Sequence, residues 1–134
     1  MVATYSRYIS ASASPPNDDV LITCEAAVAV QDAVYLKAAD LYAKADATAE
    51  ATMPVAGFIV AKPTATTALM RPAGDLDGFV GLTPDTEYYA AKVAGQITTT
   101  VAGYVAGNVA QGVGRAKNAT VLTIAVQDDD YTVL

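Results

Sequence analysis

The chain contains no histidine and a single cysteine, and only 16% of its residues are charged. Without an imidazole a Ser-His triad cannot be built, so Ser6, Ser10, Ser12 and Ser14 have no histidine base to activate them. The same shortage rules out the usual zinc sites, which need His and Cys in sets of four. Cys24 has no intrachain disulfide partner and is expected as a buried rather than a reactive thiol. No apolar run approaches the roughly 20 residues that cross a bilayer. The opening stretch MVATYSRYISASASPPNDD lacks the apolar centre of a signal peptide. Synthesis and retention in a cytoplasm is therefore the expectation, and it places the sequon at Asn118 out of reach of glycosylation.

Positive charge is also scarce. Eight Lys and Arg stand against 14 Asp and Glu, for a net charge of −6, and the cations are scattered. A nucleic-acid surface needs them clustered to displace counterions, so neither DNA nor RNA is an expected partner. Carboxylates are plentiful but poorly arranged for chemistry. Asp128, Asp129 and Asp130 would alternate faces on a strand and lack the spacing of a calcium loop, so they are read as a solvated turn. Asp75 and Asp77 would share a face if extended, yet the glycines around them indicate turns. Glu50 and Glu87 have no evident partner for acid–base work. The run GNVAQGVG lacks the Lys-Ser/Thr that follows a phosphate loop. No catalytic residue, metal site, cofactor or small-molecule substrate is expected.

What the chain has in quantity is alanine and β-branched residues. Its 134 residues suit one domain, and its 53% hydrophobic content combined with few charges favours an assembled state. Residues 1–19 form an N-terminal arm of Ser, Ala and Pro in which Pro15 and Pro16 favour extended backbone. Tyr5, Tyr8 and Ile9 punctuate it. Large apolar side chains are wasteful in a tail that touches nothing, so the arm is read as a strap that docks on a neighbour.

From residue 20 onward the expected fold class is all-β, a β-barrel or sandwich of short strands. VLITCEAAVAV (20–30) is β-branched and reads as a strand. Residues 31–51 are rich in Ala, Leu, Lys and Glu, which by propensity alone would give a helix. The second half argues otherwise. Tyr35 falls on Tyr89, and Ala65-Thr66 on Ala119-Thr120, at one common offset of 54 residues. The halves, about 20–70 and 78–126, read as pseudo-repeats. The later one is poor helix material: Thr83-Pro84 begins a turn, Gly95 interrupts, and Ile97 to Val101 is β-branched. A hairpin is therefore expected early in the chain, with Val34–Leu36 outgoing, a turn at 37–40, and Leu41–Lys44 returning. Residues 71–81 are expected to link the halves through tight turns. Of the pair Tyr88-Tyr89, one ring should face the core and the other solvent or a partner, where tyrosine is enriched.

The segments GFVGLTPDTEYYA (78–90), GQITTT (95–100) and QGVGRAKNATVLTI (111–124) resemble the capsid cement or decoration proteins of tailed bacteriophages. They share this turn-and-strand grammar with β-rich modules of phage head and tail fibres. DAVYLKAADLYAKADATAEATMPVAGFIVAK (32–62) follows the same course, and the resemblance spans Val20 to Leu134. Asp85 and Asp32 stand where the pattern often has Gly, which implies a different backbone angle there. The resemblance implies a non-enzymatic virion protein, made in the host cytoplasm and carried on the outer capsid surface. It would be a homotrimer that stabilises the shell by bridging capsomers, with the major capsid protein as partner and no nucleic acid or membrane. The candidate subunit or capsid contacts are Tyr5, Tyr8, Ile9, Pro15, Pro16, Tyr88 and Tyr89. A receptor- or glycan-binding module of a fibre is the alternative.

Overall fold

The computed structural model describes residues 19–126 and 131–134. The fold is all-β: twelve strands and one 3-10 turn at Glu50–Thr52, with no α-helix among the described residues. The first sheet takes β1 (Val20–Cys24), β2 (Ala33–Ala38), β3 (Leu41–Lys44), β4 (Gly57–Thr64) and β5 (Thr67–Arg71). It closes on itself as a barrel in the order β1-β3-β2-β4-β5. The second sheet takes β6 (Ala73–Leu76), β7 (Glu87–Ala90), β8 (Ile97–Thr98), β10 (Gly112–Ala116) and β11 (Leu122–Ala125). It stays open, in the order β6-β11-β10-β7-β8. The short strands β9 (Val109–Ala110) and β12 (Thr132–Val133) pair with each other.

Period-two alternation builds these strands, since successive side chains of a strand point to opposite faces. In β1, Ile22 and Cys24 are buried while Leu21 and Thr23 are exposed. Neighbours on β2 and β4 serve two different cores. Val34 and Ile59 fill the barrel with Ile22, Cys24, Val28, Ala68 and Met70. Tyr35 and Phe58, one residue away in each case, belong to a larger core shared with Leu76, Tyr88, Val113, Leu122 and Ile124 of the second sheet. The single thiol is buried in the barrel.

The region with helical propensity is extended. Ala43, Ala45 and Ala47 are buried while Lys44 and Asp46 between them are only partly covered, the signature of a strand face. Small side chains here let two backbones approach. Ala47 N–H donates to Ala91 O at 2.9 Å, Gly95 N–H to Ala45 O at 2.8 Å, and Val109 N–H to Ala47 O at 2.9 Å. A helix would satisfy its own backbone and forgo these cross-links between the halves, so tertiary pairing overrides propensity. The expected hairpin is present: β2 and β3 pair antiparallel around Ala39-Asp40, with Asp40 at φ 59°. Asp is among the few residues that tolerate this left-handed angle.

Three expectations need correction. The first strand ends at Cys24, because Glu25–Val28 turns and Val28 N–H bonds back to Glu25 O at 3.1 Å. The segment 71–81 is not turns throughout. Residues 73–76 form β6, held to β11 by four partner pairs, with Asp75 Oδ1 accepting from Thr123 Oγ1 at 2.8 Å. At the other end, β8 stops at Thr98, where Thr98 Oγ1 accepts from Thr100 N–H and closes a local turn.

The two sheets use the same pairing order. The contacts β1–β5, β5–β4, β4–β2 and β2–β3 have counterparts in β6–β11, β11–β10, β10–β7 and β7–β8. In one ladder the register is common as well: Val20, Leu21 and Ile22 face Met70, Leu69 and Ala68. Gly74, Asp75 and Leu76 face Ile124, Thr123 and Leu122, each 54 residues on. The counterpart of one contact is absent. Parallel pairing of Thr23 with Leu41 and Cys24 with Tyr42 closes the barrel, whereas β6 and β8 do not pair.

Candidate interaction surface

The gap between β6 and β8 is occupied by the loop that leads into β2. Gln31 Nε2 donates to Asp77 O at 2.9 Å, and Ala33 N–H donates to Gly95 O at 2.9 Å. Two glycines make room for this wedge. Gly78 has φ 101°, and a Cβ there would lie 2.1 Å from Gln31 Nε2. Gly95 has φ 78°, and a Cβ would lie 2.8 Å from Asp32 Oδ1. Gln31 itself adopts φ 73°.

Outside the wedge the gap opens as a groove of about 410 Å³, lined by Val30, Phe79, Val80, Leu82, Tyr88 and Ile97 among others. Its rim carries solvent-facing valines, Val80 at 93% exposed and Val30 at 49%, beside the polar side chains of Gln31, Asp32 and Gln96. Phe79 packs edge-on against Phe58, ring centroids 6.2 Å apart, so the groove floor is continuous with the main core. Asp32 is its acidic member, and that carboxylate is paired with Lys44 Nζ at 3.6 Å.

The expected contact residues divide. Tyr5, Tyr8, Ile9, Pro15 and Pro16 lie outside the described residues. Tyr88 is not a free surface contact: it is 6% exposed, and its hydroxyl accepts the Thr83 N–H at 2.9 Å, fixing the turn before β7. Tyr89, on the opposite face of β7, is half-buried beside Thr98 and Gly112. The aspartate at 85 keeps the glycine-like angle, φ 57°, contrary to the expected change; Asp32 is not left-handed, and the residue before it is. Asp128, Asp129 and Asp130 lie outside the described residues.

Elsewhere charges are used in pairs. Arg71 binds Asp19 through two contacts, Nε to Oδ1 at 2.7 Å and a second guanidinium nitrogen to Oδ2 at 2.9 Å. This holds the Asp19 carboxyl below its usual range and pins the root of the arm. Lys117 at 2.9 Å and the Thr123 hydroxyl do the same for Asp75, so that carboxylate is occupied rather than waiting for a metal. Among the described residues no cluster of three metal-ligating side chains occurs. Asn118 organises the β10–β11 turn by accepting from the N–H groups of Thr120 and Val121, both at 2.9 Å. Burial raises the Tyr104 phenol, whose hydroxyl donates to Ala90 O. No described helix is long and apolar enough to cross a membrane.

Sequence reasoning missed the groove because separated parts of the chain build it, residues 30–32, 79–82 and 95–97 together with Tyr88. The one available signal was the pair Phe79-Val80 between two glycines, in a stretch that otherwise read as turns. Compared with protein-family models, with curated proteins and with solved structures, the chain matches none.

Proposed function

We propose that this chain is a non-enzymatic virion structural protein that binds the outer surface of a tailed-phage capsid. In this reading it stabilises the shell by bridging capsomers, with the major capsid protein as partner and sister subunits around it as a trimer. The observation that carries the reading is the segment GFVGLTPDTEYYA (78–90), the heart of the resemblance to cement proteins. Phe79 to Leu82 and Tyr88 of this segment line a solvent-facing groove, where Val80 is 93% exposed. Apolar side chains presented this openly suit contact with another protein surface. Many copies on a shell would each contribute modest energy, and multiplicity would supply the avidity.

Particles lacking this protein are expected to expand or leak under heat or osmotic shock before complete particles do. Equal survival of the two would contradict the reading. Restoration by added purified protein is the accompanying control, since it separates a missing clamp from a misassembled shell.

A further inference from the structure

We propose that the groove between β6 and β8 receives residues 5–9 of the N-terminal arm of a second copy of this chain. This deepens the assembly part of the preceding reading and names the contact that would join sister subunits.

The groove is a place where a strand is missing. In the first sheet the equivalent space is closed by parallel pairing of β1 with β3. In the second it is only partly filled by Gln31 and Asp32, and Val80 and Gly81 make no backbone hydrogen bond to a described residue. Free main chain beside apolar side chains is what an added extended segment uses: the backbone supplies affinity, and alternate side chains supply specificity. Tyr5-Ser6-Arg7-Tyr8-Ile9 has the matching composition. Tyr8 and Ile9 offer apolar surface, and Arg7 is the only charge in the five residues. Within residues 1–18 Arg7 and Asp18 cancel, so the net charge of −6 resides on the remainder of the chain. An arm segment carrying one cation therefore meets a body of opposite sign, although Asp32 in the groove wall is itself paired with Lys44 Nζ at 3.6 Å.

Reach favours a second copy over the same chain, because Arg71 also donates to Asp75 O of β6 and so holds the arm's root beside this groove. The arm leaves at Asp19, which Arg71 grips. From there to Tyr8 an extended chain covers about 36 Å, close to the roughly 35 Å width of a body this size. Pro15 and Pro16 stiffen the first part of this path. One arm and one groove per copy form a heterologous contact, which closes into a ring where the rotation between copies closes and otherwise runs on as a filament. A trimer is one closed solution.

Sedimentation of two full-length variants tests this. One blocks the groove with Val30→Asp and Val80→Asp, both at exposed positions that leave the core untouched. The other removes the arm's anchors with Tyr5→Ser, Tyr8→Ser and Ile9→Ser. The parent chain is expected to sediment as an oligomer, and each variant alone should lose at least about tenfold in self-association. Mixed one to one, they should form a heterodimer, because each supplies the half the other lacks. A monomeric parent, a groove variant that assembles as the parent does, or a mixture without complex would each overturn the proposal. A chain that assembles this way but leaves the heat survival of shells unchanged would instead contradict the shell role, with the arm contact intact.

Discussion

The two halves of the molecule follow one pairing order to different endings. In the first, Thr23 and Cys24 meet Leu41 and Tyr42, and the sheet closes around its own small core. In the second, the corresponding edges stay apart, and a loop of the first half enters between them. A closed barrel has no free edge there, whereas an open sheet leaves main chain and apolar side chains to be covered by something else. The lesson is that a single lost pairing converts an interior into a surface. What the first half uses for its own stability, the second leaves facing solvent.

The sharpest way to break this comparison is to empty one core at a time. Phe58 and Ile59 are adjacent on β4, both fully buried, and face the shared core and the barrel respectively. Phe58→Ala should cost about 3–5 kcal/mol in urea denaturation, and Ile59→Val about 1 kcal/mol. If Phe58→Ala costs no more than Ile59→Val, the shared core does not hold the halves together.

Next in size is the amide that joins the halves. Gln111 is 1% exposed; its Oε1 accepts from Val55 N–H at 2.7 Å, and its Nε2 donates to Val55 O at 3.1 Å. Removing it strands two buried backbone groups, so Gln111→Ala should cost about 2–4 kcal/mol by the same measurement. A loss below about 0.5 kcal/mol would mean that water replaces the amide at no cost.

A smaller effect is expected at the wedge. Gly95→Ala must hold a left-handed angle and push against Asp32, at about 1–3 kcal/mol. Gly103→Ala, with open space around it and no such angle, should be near neutral and serves as the control. Similar losses at both positions would remove the wedge as an explanation for the open sheet.

The smallest effect concerns pH. Asp19 and Asp75 have folded carboxyls lowered by Arg71 and by Lys117 with Thr123. Their contribution is present above the unfolded value of about 3.9 and is lost as pH falls through the lower folded values. The Arg71–Asp19 pair is partly covered and the Lys117–Asp75 pair is open to solvent, so the effect is modest. Below about pH 4, Arg71→Gln should flatten the acid limb of a thermal-stability profile. An unchanged limb would show that the Arg71–Asp19 pair contributes nothing in solution.

Much of the strand order was legible because local signals agreed with it. The exception is the early hairpin, legible only by setting Tyr35 on Tyr89 against a local helix propensity, while Pro84 with Asp85 marks a turn whose left-handed residue the structure retains. β6 was hidden because Gly74, Asp75, Asp77 and Gly78 carry turn chemistry, while the strand depends on non-local partners at 122–125. The groove was hidden for the same reason. Nothing local to Val80 says that it is exposed, and only the folded chain brings it beside Val30 and Ile97. Tyr88 and Tyr89 look equivalent in sequence; one hydrogen bond from Thr83 and the facing core separate them.

The most direct test of the shell role is where the protein sits on purified particles, read by electron-microscopic reconstruction of particles with and without it. The account predicts difference density over the whole shell, at the junctions between capsomers. Density confined to one vertex or to a tail or fibre tip would contradict it and favour a receptor-binding module.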